Sequence, residues 1–508
     1  MFTGFVNTIN NTATKKIFFS TFIIIYAIAL FYLCWNINVE TDELFTLDTT
    51  SKGITYAFEQ SYYLEGQPPV YFILIALWRK INQDIFFVRL FSISCIGFAT
   101  YIFYKVIQLI STKGCSRWLV IVFLLNPFTV WAALEARLYA FVLFLSLSAV
   151  YFFLRYYKDN KNKHLCYFIL IGIAGLYTQY LFIYLIASLG FALLIFKGWK
   201  HFFKYCLYAL PAAMLFVNDI LFVNNPLKLN YTDSLPTSAS QKLIEVFHSP
   251  QNLVLAMDMF PFERTIRWTI LLVFIFVTIF SYLKWNKKSK SNDFATFQMF
   301  KIIVLSAFGV VIFTAVLFAF TGMDYHDKYL GIGFPLFISA FLIFQMYSFL
   351  KRSLIFAIIS ILYISLLIPH YKYPIKEYDT KGLVKYLSAI EQKDEPICVY
   401  QKLIALPIKY YYNGKNDIVT LPDSLKFDPS YLEKLRDTVV LSKTMEKINT
   451  TSHSLLLLTD RMDSKFKNDA DLKILYGYLD NHYKTIFDTV FYGQSKNWPL
   501  RIRRLEKK

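Results

Sequence analysis

The chain has 508 residues, of which 56% are apolar and only 17% charged, with a mean hydropathy of +0.41. Soluble domains carry about a quarter charged residues, which excludes an ordinary cytosolic enzyme, and the low Gly and Pro content excludes collagenous or low-complexity chains. The net charge of +18 reads as cytoplasmic-loop charge in contact with anionic membrane lipids, with no nucleic acid partner implied. The composition is that of a polytopic α-helical membrane protein.

Lys15 and Lys16 precede an apolar run, Ile17–Trp35, that is too long for a signal-peptide core and reads as a retained first transmembrane helix. The further candidate spans are Ile85–Ile110, Trp118–Ala133, Leu138–Tyr157, Leu165–Tyr177, Tyr180–Lys197, Phe202–Val223, Ile266–Leu283, Phe297–Phe320, Tyr329–Leu350 and Ser353–Pro369. With the first, they make about eleven membrane spans, each near the roughly 20 residues a bilayer requires or somewhat shorter. Pro69–Ile81 is a shorter apolar piece between the first two. Basic clusters at Lys15/Lys16, Lys105–Arg117, Lys158–His164, Lys197–Lys204, Lys284–Lys290 and Lys351/Arg352 all fall on the cytoplasmic side if that piece is a re-entrant or juxtamembrane helix. A full crossing there would turn most of them outward. The six cysteines form no CxxC pair, so neither a zinc site nor a redox motif is indicated.

This topology places a set of segments outside the cytoplasm: Ile37–Asp84, the turns at Glu135 and Thr178, the loop Asn224–Arg264, the turn Thr321–Lys328 and everything after His370. From His370 on, apolar runs shorten to strand length, as in Ile397–Tyr400 and Leu455–Leu458. They alternate with helical patterns at Lys381–Glu391 and Tyr431–Arg436, which predicts a small extracytoplasmic α/β domain. The chain thus divides into a transmembrane module, residues 1–370, and a soluble domain, residues 371–508.

Chemistry-bearing residues recur along the outer segments. Asp42 and Glu43 directly follow the first span, where a partly desolvated carboxylate can serve as general base or metal ligand, or simply open a helix. Glu65 lies before Pro68 and Pro69, which fit a chain entering a helix. Arg89 sits near the outer end of its span, placed either to snorkel or to grip a phosphate bidentately. Asn126-Pro127 is expected to kink the third span. Glu135, Arg137 and Tyr139 follow at an outward turn, as a local ion pair or part of a site. Thr178-Gln179-Tyr180 occupies the next outward turn, and Asp324-Tyr325-His326-Asp327-Lys328-Tyr329 a later one suited to an anionic head group.

Taken in order, these pieces resemble the integral-membrane GT-C glycosyltransferases of the family 39 kind, relatives of the protein mannosyltransferases and the lipid A aminoarabinose transferase. The matching pattern is Asp42-Glu43, then Gln67-Pro68-Pro69-Val70-Tyr71-Phe72 running into Arg89-Leu90, then Asn126-Pro127 with Glu135-Ala136-Arg137-Leu138-Tyr139, and Lys328-Tyr329 before Pro335. It covers roughly residues 15 to 370. The resemblance implies a GT-C fold and an inverting transfer of a sugar from a polyprenyl-phosphate-linked donor. The acceptor is a glycolipid, a polysaccharide or a protein on the periplasmic or extracellular face of the cytoplasmic membrane. It implies Asp42 as the base for the acceptor hydroxyl, with Glu43 and Glu65 as further active-site acids. Arg89, Arg137, Lys328, Tyr329 and His326 bind the lipid phosphate, and Glu135 and Tyr139 support them. No metal or cofactor is strictly required. Two departures stand out: arginine is commoner than lysine at position 328, and Gly66-Gln67 replaces a lysine that some relatives carry after the acid at Glu65. A polysaccharide polymerase or ligase is the alternative enzyme reading and a lipid-linked-glycan flippase the non-enzymatic one. The acidic pair in the first loop favours a transferase.

Overall fold

The computed structural model describes residues 12–111, 117–219, 238–259, 269, 276, 294–320, 325–346, 352–376, 378–400, 402–421, 443–446, 448, 453–459, 470–494 and 499–508. The chain separates into two compact units, one formed by Met1–Trp35 with Thr49–His370 and the other by Asn36–Asp48 with Tyr371–Lys508. Nearly all of the predicted span Ile266–Leu283 and the end of Phe202–Val223, together with Asp324 and the helix at Tyr431–Arg436, lie outside the described residues.

Up to Tyr371 the described elements are helices. In chain order the α-helices are α1 (Thr12–Asn36), α2 (Thr41–Thr49), α3 (Ile54–Tyr63), α4 (Val70–Trp78), α5 (Ile85–Ile110), α6 (Arg117–Leu125), α7 (Pro127–Leu134), α8 (Tyr139–Asp159), α9 (Asn162–Leu176), α10 (Phe182–Lys197), α11 (Trp199–Asn218), α12 (Ala239–Leu255), α13 (Phe294–Phe320), α14 (Phe334–Met346) and α15 (Arg352–Tyr371). The segment Asn36–Asp48, which contains most of α2, groups with the second unit.

Among the described residues, five helices are long and apolar enough to cross a membrane: Ile17–Asn36, Ile85–Ile110, Tyr139–Asp159, Ala295–Phe320 and Leu354–Tyr371. The pair α6 and α7 makes a sixth when taken as one span bent by 60°. That bend falls at Asn126-Pro127, because the proline cannot supply the N–H of a continuous helix. Pro127 instead opens α7, capped by the Asn126 side chain, which accepts from the N–H groups of Phe128 and Thr129. The Asn126 amide then donates to the carbonyls of Leu253 and Val254, both at 3.1 Å, and so ties the bend to α12. The predicted spans within 165–197 and 329–350 form the shorter apolar helices α9, α10 and α14.

Two sequence expectations need correcting. The first turn of the predicted span Tyr329–Leu350 is a 3-10 helix, Asp327–Ile332, and α14 starts only at Phe334. The backbone at Gly331 packs directly on the Phe128 ring, where a Cβ would sit 2.8 Å from it. The loop expected over Asn224–Arg264 contains α12, which begins with a capping box formed by Ser238 and Gln241.

The nine residues of α4 rise only about 13 Å, less than half a hydrocarbon core. The helix turns back on α5, where the Trp78 indole donates to the Phe87 carbonyl at 2.8 Å and stacks on the Phe87 ring.

The second unit carries α16 (Thr380–Ile390), β1 (Ile397–Tyr400), α17 (Lys402–Tyr411), β2 (Ile418–Leu421), β3 (Ser454–Thr459), α18 (Ala470–His482), β4 (Tyr483–Phe491) and β5 (Leu500–Lys507). Its five-stranded sheet has the order β2-β1-β3-β5-β4, with β2, β1 and β3 parallel and β5 antiparallel to both neighbours. All four β1 residues are buried, as expected of a parallel strand covered on both faces. On one face Leu383, Leu387, Ile404 and Ile408 pack on Ile397, Val399 and Leu456. On the other, Leu475 and Leu479 pack with Cys398, Leu455 and Leu457.

Candidate active site

In the first unit, the chain leaving α3 makes a tight turn that presents Glu65. The N–H groups of Leu64 and Glu65 both reach the Gln60 carbonyl, and the Gln67 N–H reaches that of Ser61 at 2.9 Å. Gly66 closes the turn at φ +59°, a left-handed conformation that favours glycine. The next helix is then anchored by the Val70 N–H on the Tyr177 carbonyl at 2.9 Å.

Glu65 meets Arg137, which lies on the irregular stretch between α7 and α8. Arg137 Nη1 donates to both carboxylate oxygens, at 2.9 and 2.8 Å. The Arg137 and Glu65 side chains are 10% and 3% exposed, so each charge relies on the other for lost hydration.

Beside Arg137, Tyr139 opens α8. Its ring lies 4.8 Å from that of Trp131, and the Lys328 ammonium sits 5.7 Å from its centroid, within cation–π range. Lys328 is held there by the 3-10 turn. Asp327 accepts from Ser249 Oγ and, at 2.7 Å, from the Asn252 amide, while Tyr325 donates to Ser249 Oγ at 2.6 Å. Burial keeps the Tyr325 hydroxyl protonated well above the usual phenol range, consistent with its donor role. Tyr329 stacks on Phe318, and the exposed His326 ring stands edge-on to Tyr329 at 5.8 Å. The geometry thus gives two pairs, Glu65 with Arg137 and Tyr139 with Lys328, brought near each other in sequence by Arg137 and Tyr139.

Arg89 and Glu135 lie deeper. Arg89 is buried and donates to the Cys34 carbonyl at 3.0 Å, and Ser92, one turn along α5, donates to the Glu135 carbonyl at 2.5 Å. Both lie within the packed helices.

Asp219, near the end of the predicted span Phe202–Val223, joins the region through contacts that residue type alone does not announce. This buried carboxylate accepts from Tyr62 Oη at 2.8 Å and from Tyr180 Oη at 2.6 Å. Burial, then the Asp219 carboxylate, hold the Tyr62 hydroxyl protonated far above its ordinary range. Tyr62 is three residues before Glu65, so this cluster pins the turn that carries the acid.

In the second unit, Asp42 and Glu43 occupy the first turn of α2, where the helix dipole favours negative charge. Glu43 is completely buried; it accepts from the Glu40 N–H at 3.1 Å and pairs with Lys376 Nζ at 2.9 Å. Asp42, the adjacent residue, is half-buried. Among the described residues no three His, Cys, Asp or Glu side chains gather into a metal cage.

The fold over nearly the whole chain matches a solved one. The crystal structure of ArnT from Cupriavidus metallidurans bound to undecaprenyl phosphate aligns with a TM-score of 0.51, at 9% identity, over 96% of this chain and 97% of that one. The chain therefore shares the fold of this ArnT. The apo structure of the same ArnT aligns with a TM-score of 0.41 at 9% identity, over 97% of this chain and 98% of that one. The family profile of the dolichyl-phosphate-mannose-protein mannosyltransferases matches residues 66–221. That stretch includes Arg89, Arg137, Tyr139 and Asp219, and stops short of Asp42, Glu65 and Lys328. No curated protein sequence matches the chain. Within this fold, the Glu65–Arg137 pair and the Tyr139–Lys328 contact each join residues from separate sequence segments.

Proposed function

We propose that this protein transfers a sugar from a polyprenyl-phosphate-linked donor to an acceptor hydroxyl on the non-cytoplasmic face of the cytoplasmic membrane. The observation that carries the reading is the Arg137 guanidinium, buried and oriented by Glu65, with the Lys328 ammonium on the neighbouring Tyr139. A phosphate leaving group in a low-dielectric setting needs preorganised cations of this kind. The ArnT of similar fold was solved with undecaprenyl phosphate bound, which supports a polyprenyl donor.

In this reading Arg137, Lys328, Tyr329 and His326 receive the lipid phosphate. Arg89 and Glu135 act from behind, fixing the helices that carry it, and Tyr139 offers its ring face to Lys328. Asp42 accepts the acceptor's hydroxyl proton, and Glu43 holds the helix that bears it. The acceptor oxygen bonds to the anomeric carbon as the bond from that carbon to the phosphate oxygen breaks. Polyprenyl phosphate leaves with the electron pair, and the configuration at carbon inverts. The acceptor is a glycolipid, a surface polysaccharide or a protein.

Purified protein in nanodiscs, given polyprenyl-phosphate sugars and envelope extract, is expected to release free polyprenyl phosphate in step with sugar incorporation. Release of neither product by folded protein contradicts the proposal.

A further inference from the structure

We propose that Lys376, on the segment that opens the C-terminal domain, is a positioning residue for Asp42. The stretch Asn36–Glu43 is held to that domain by backbone and side-chain contacts. The Asn36 carbonyl accepts from Lys381 Nζ at 2.7 Å. The Asn38 N–H donates to the Pro374 carbonyl at 3.0 Å, and its amide donates to the Tyr378 carbonyl at 2.7 Å. The Val39 N–H donates to Tyr411 Oη at 2.8 Å. Lys376 grips the same stretch through its backbone N–H, which donates to Asn38 Oδ1 at 2.6 Å, and through its ammonium, which pairs with Glu43 at 2.9 Å and lies 3.9 Å from the Glu40 carboxylate.

Consecutive helical residues point about 100° apart. Once Glu43 is drawn inward by Lys376, the direction of Asp42 on the same turn is therefore fixed. Glu43 has no exposed surface, so removing the ammonium leaves a buried charge that must take a proton or drag the helix toward water. Either response reorients Asp42. The C-terminal domain is on this account part of the machinery that presents the base.

The inference rests on the reading of Asp42 as base, but its test has a readout that does not. Full-length protein in nanodiscs is compared as wild type, Lys376→Met, and Lys376→Met combined with Glu43→Gln. Amide hydrogen exchange at Asn38 and Val39 is expected to quicken about tenfold or more in the single variant. It should return toward wild type in the double, where the fully buried charge at Glu43 is gone and the part-exposed Glu40 can be hydrated. Turnover should fall in the single variant with the donor KM held, and recovery in the double is read from exchange alone. Unchanged exchange in the single variant, or no recovery in the double, overturns the proposal. Should Lys376→Met fail to fold, Lys376→Arg keeps the charge and is expected to keep both readouts; slowed turnover with accelerated exchange there overturns it equally. If the wild type transfers no sugar from a polyprenyl-phosphate donor, the proposed function falls while the exchange comparison still decides the role of Lys376.

Discussion

Arg137 donates from a single nitrogen to both carboxylate oxygens of Glu65, at 2.9 and 2.8 Å, across 72 residues of sequence. The cation best placed for a phosphate is therefore already neutralised, and an incoming lipid phosphate must share it with a carboxylate. Such a pair lets Arg137 stay ordered when no donor is present and weakens its hold on the departing phosphate.

Glu65→Gln removes that competition while preserving shape. We expect polyprenyl phosphate to bind on the order of tenfold tighter, since loss of a close carboxylate strengthens the remaining cation–anion attraction. Turnover should fall because product leaves slowly. Titration of detergent-solubilised protein with polyprenyl monophosphate checks the first part and single-turnover against steady-state rates the second.

Lys328 contacts Tyr139 through its charge rather than through a planar fork. Lys328→Ala should raise the donor KM about tenfold with kcat changed less, whereas Lys328→Arg should stay within a few-fold of wild type. Steady-state kinetics over a range of donor concentrations separates the two.

Gly66→Ala places a Cβ at φ +59°, which costs about 1–2 kcal/mol in a left-handed conformation. The melting temperature should drop by a few degrees, and transfer should fall further than that loss alone accounts for, because the turn also aims Glu65. Thermal unfolding and activity measured on the same preparation test this.

A pH effect is expected in the C-terminal domain. Burial, then the Glu391 carboxylate it hydrogen-bonds, push the Tyr412 hydroxyl up to about 12. A group whose folded value is raised contributes stability that is complete below its unfolded value, about 10 for tyrosine. That contribution is lost as pH rises through the folded value. Stability should accordingly decline between about pH 10 and pH 12, and Tyr412→Phe should flatten that part of the curve. Melting temperature against pH for the two proteins checks it.

Where periodicity and breakers act locally, the fold was legible in the chain. The span Ile85–Ile110 is helix α5 at both ends, the break at Asn126-Pro127 is the observed bend, and Ile397–Tyr400 is strand β1. The start of the predicted span Tyr329–Leu350 differs because the chain there packs Gly331 against Phe128, a partner distant in sequence. The site was half visible for the same reason. Residue type marked Glu65, Arg137 and Lys328 as chemistry, but nothing local announces that Glu65 pairs with Arg137 or that two tyrosines converge on Asp219. Lys376 carried no signal at all, since a lysine after a membrane span is ordinary until its carboxylate partner is seen.

The central claim is tested most directly by mass spectrometry of polyprenyl-phosphate lipids and surface glycans from cells carrying wild type or Asp42→Asn. The asparagine keeps the size of the side chain and removes its basicity, a change expected to slow transfer by about 10²–10⁴-fold. One monophosphate-linked sugar should accumulate in the variant while one glycan or acceptor loses the matching mass. Unchanged lipid and glycan pools, with the variant present in the membrane and the donor being made, would contradict the account.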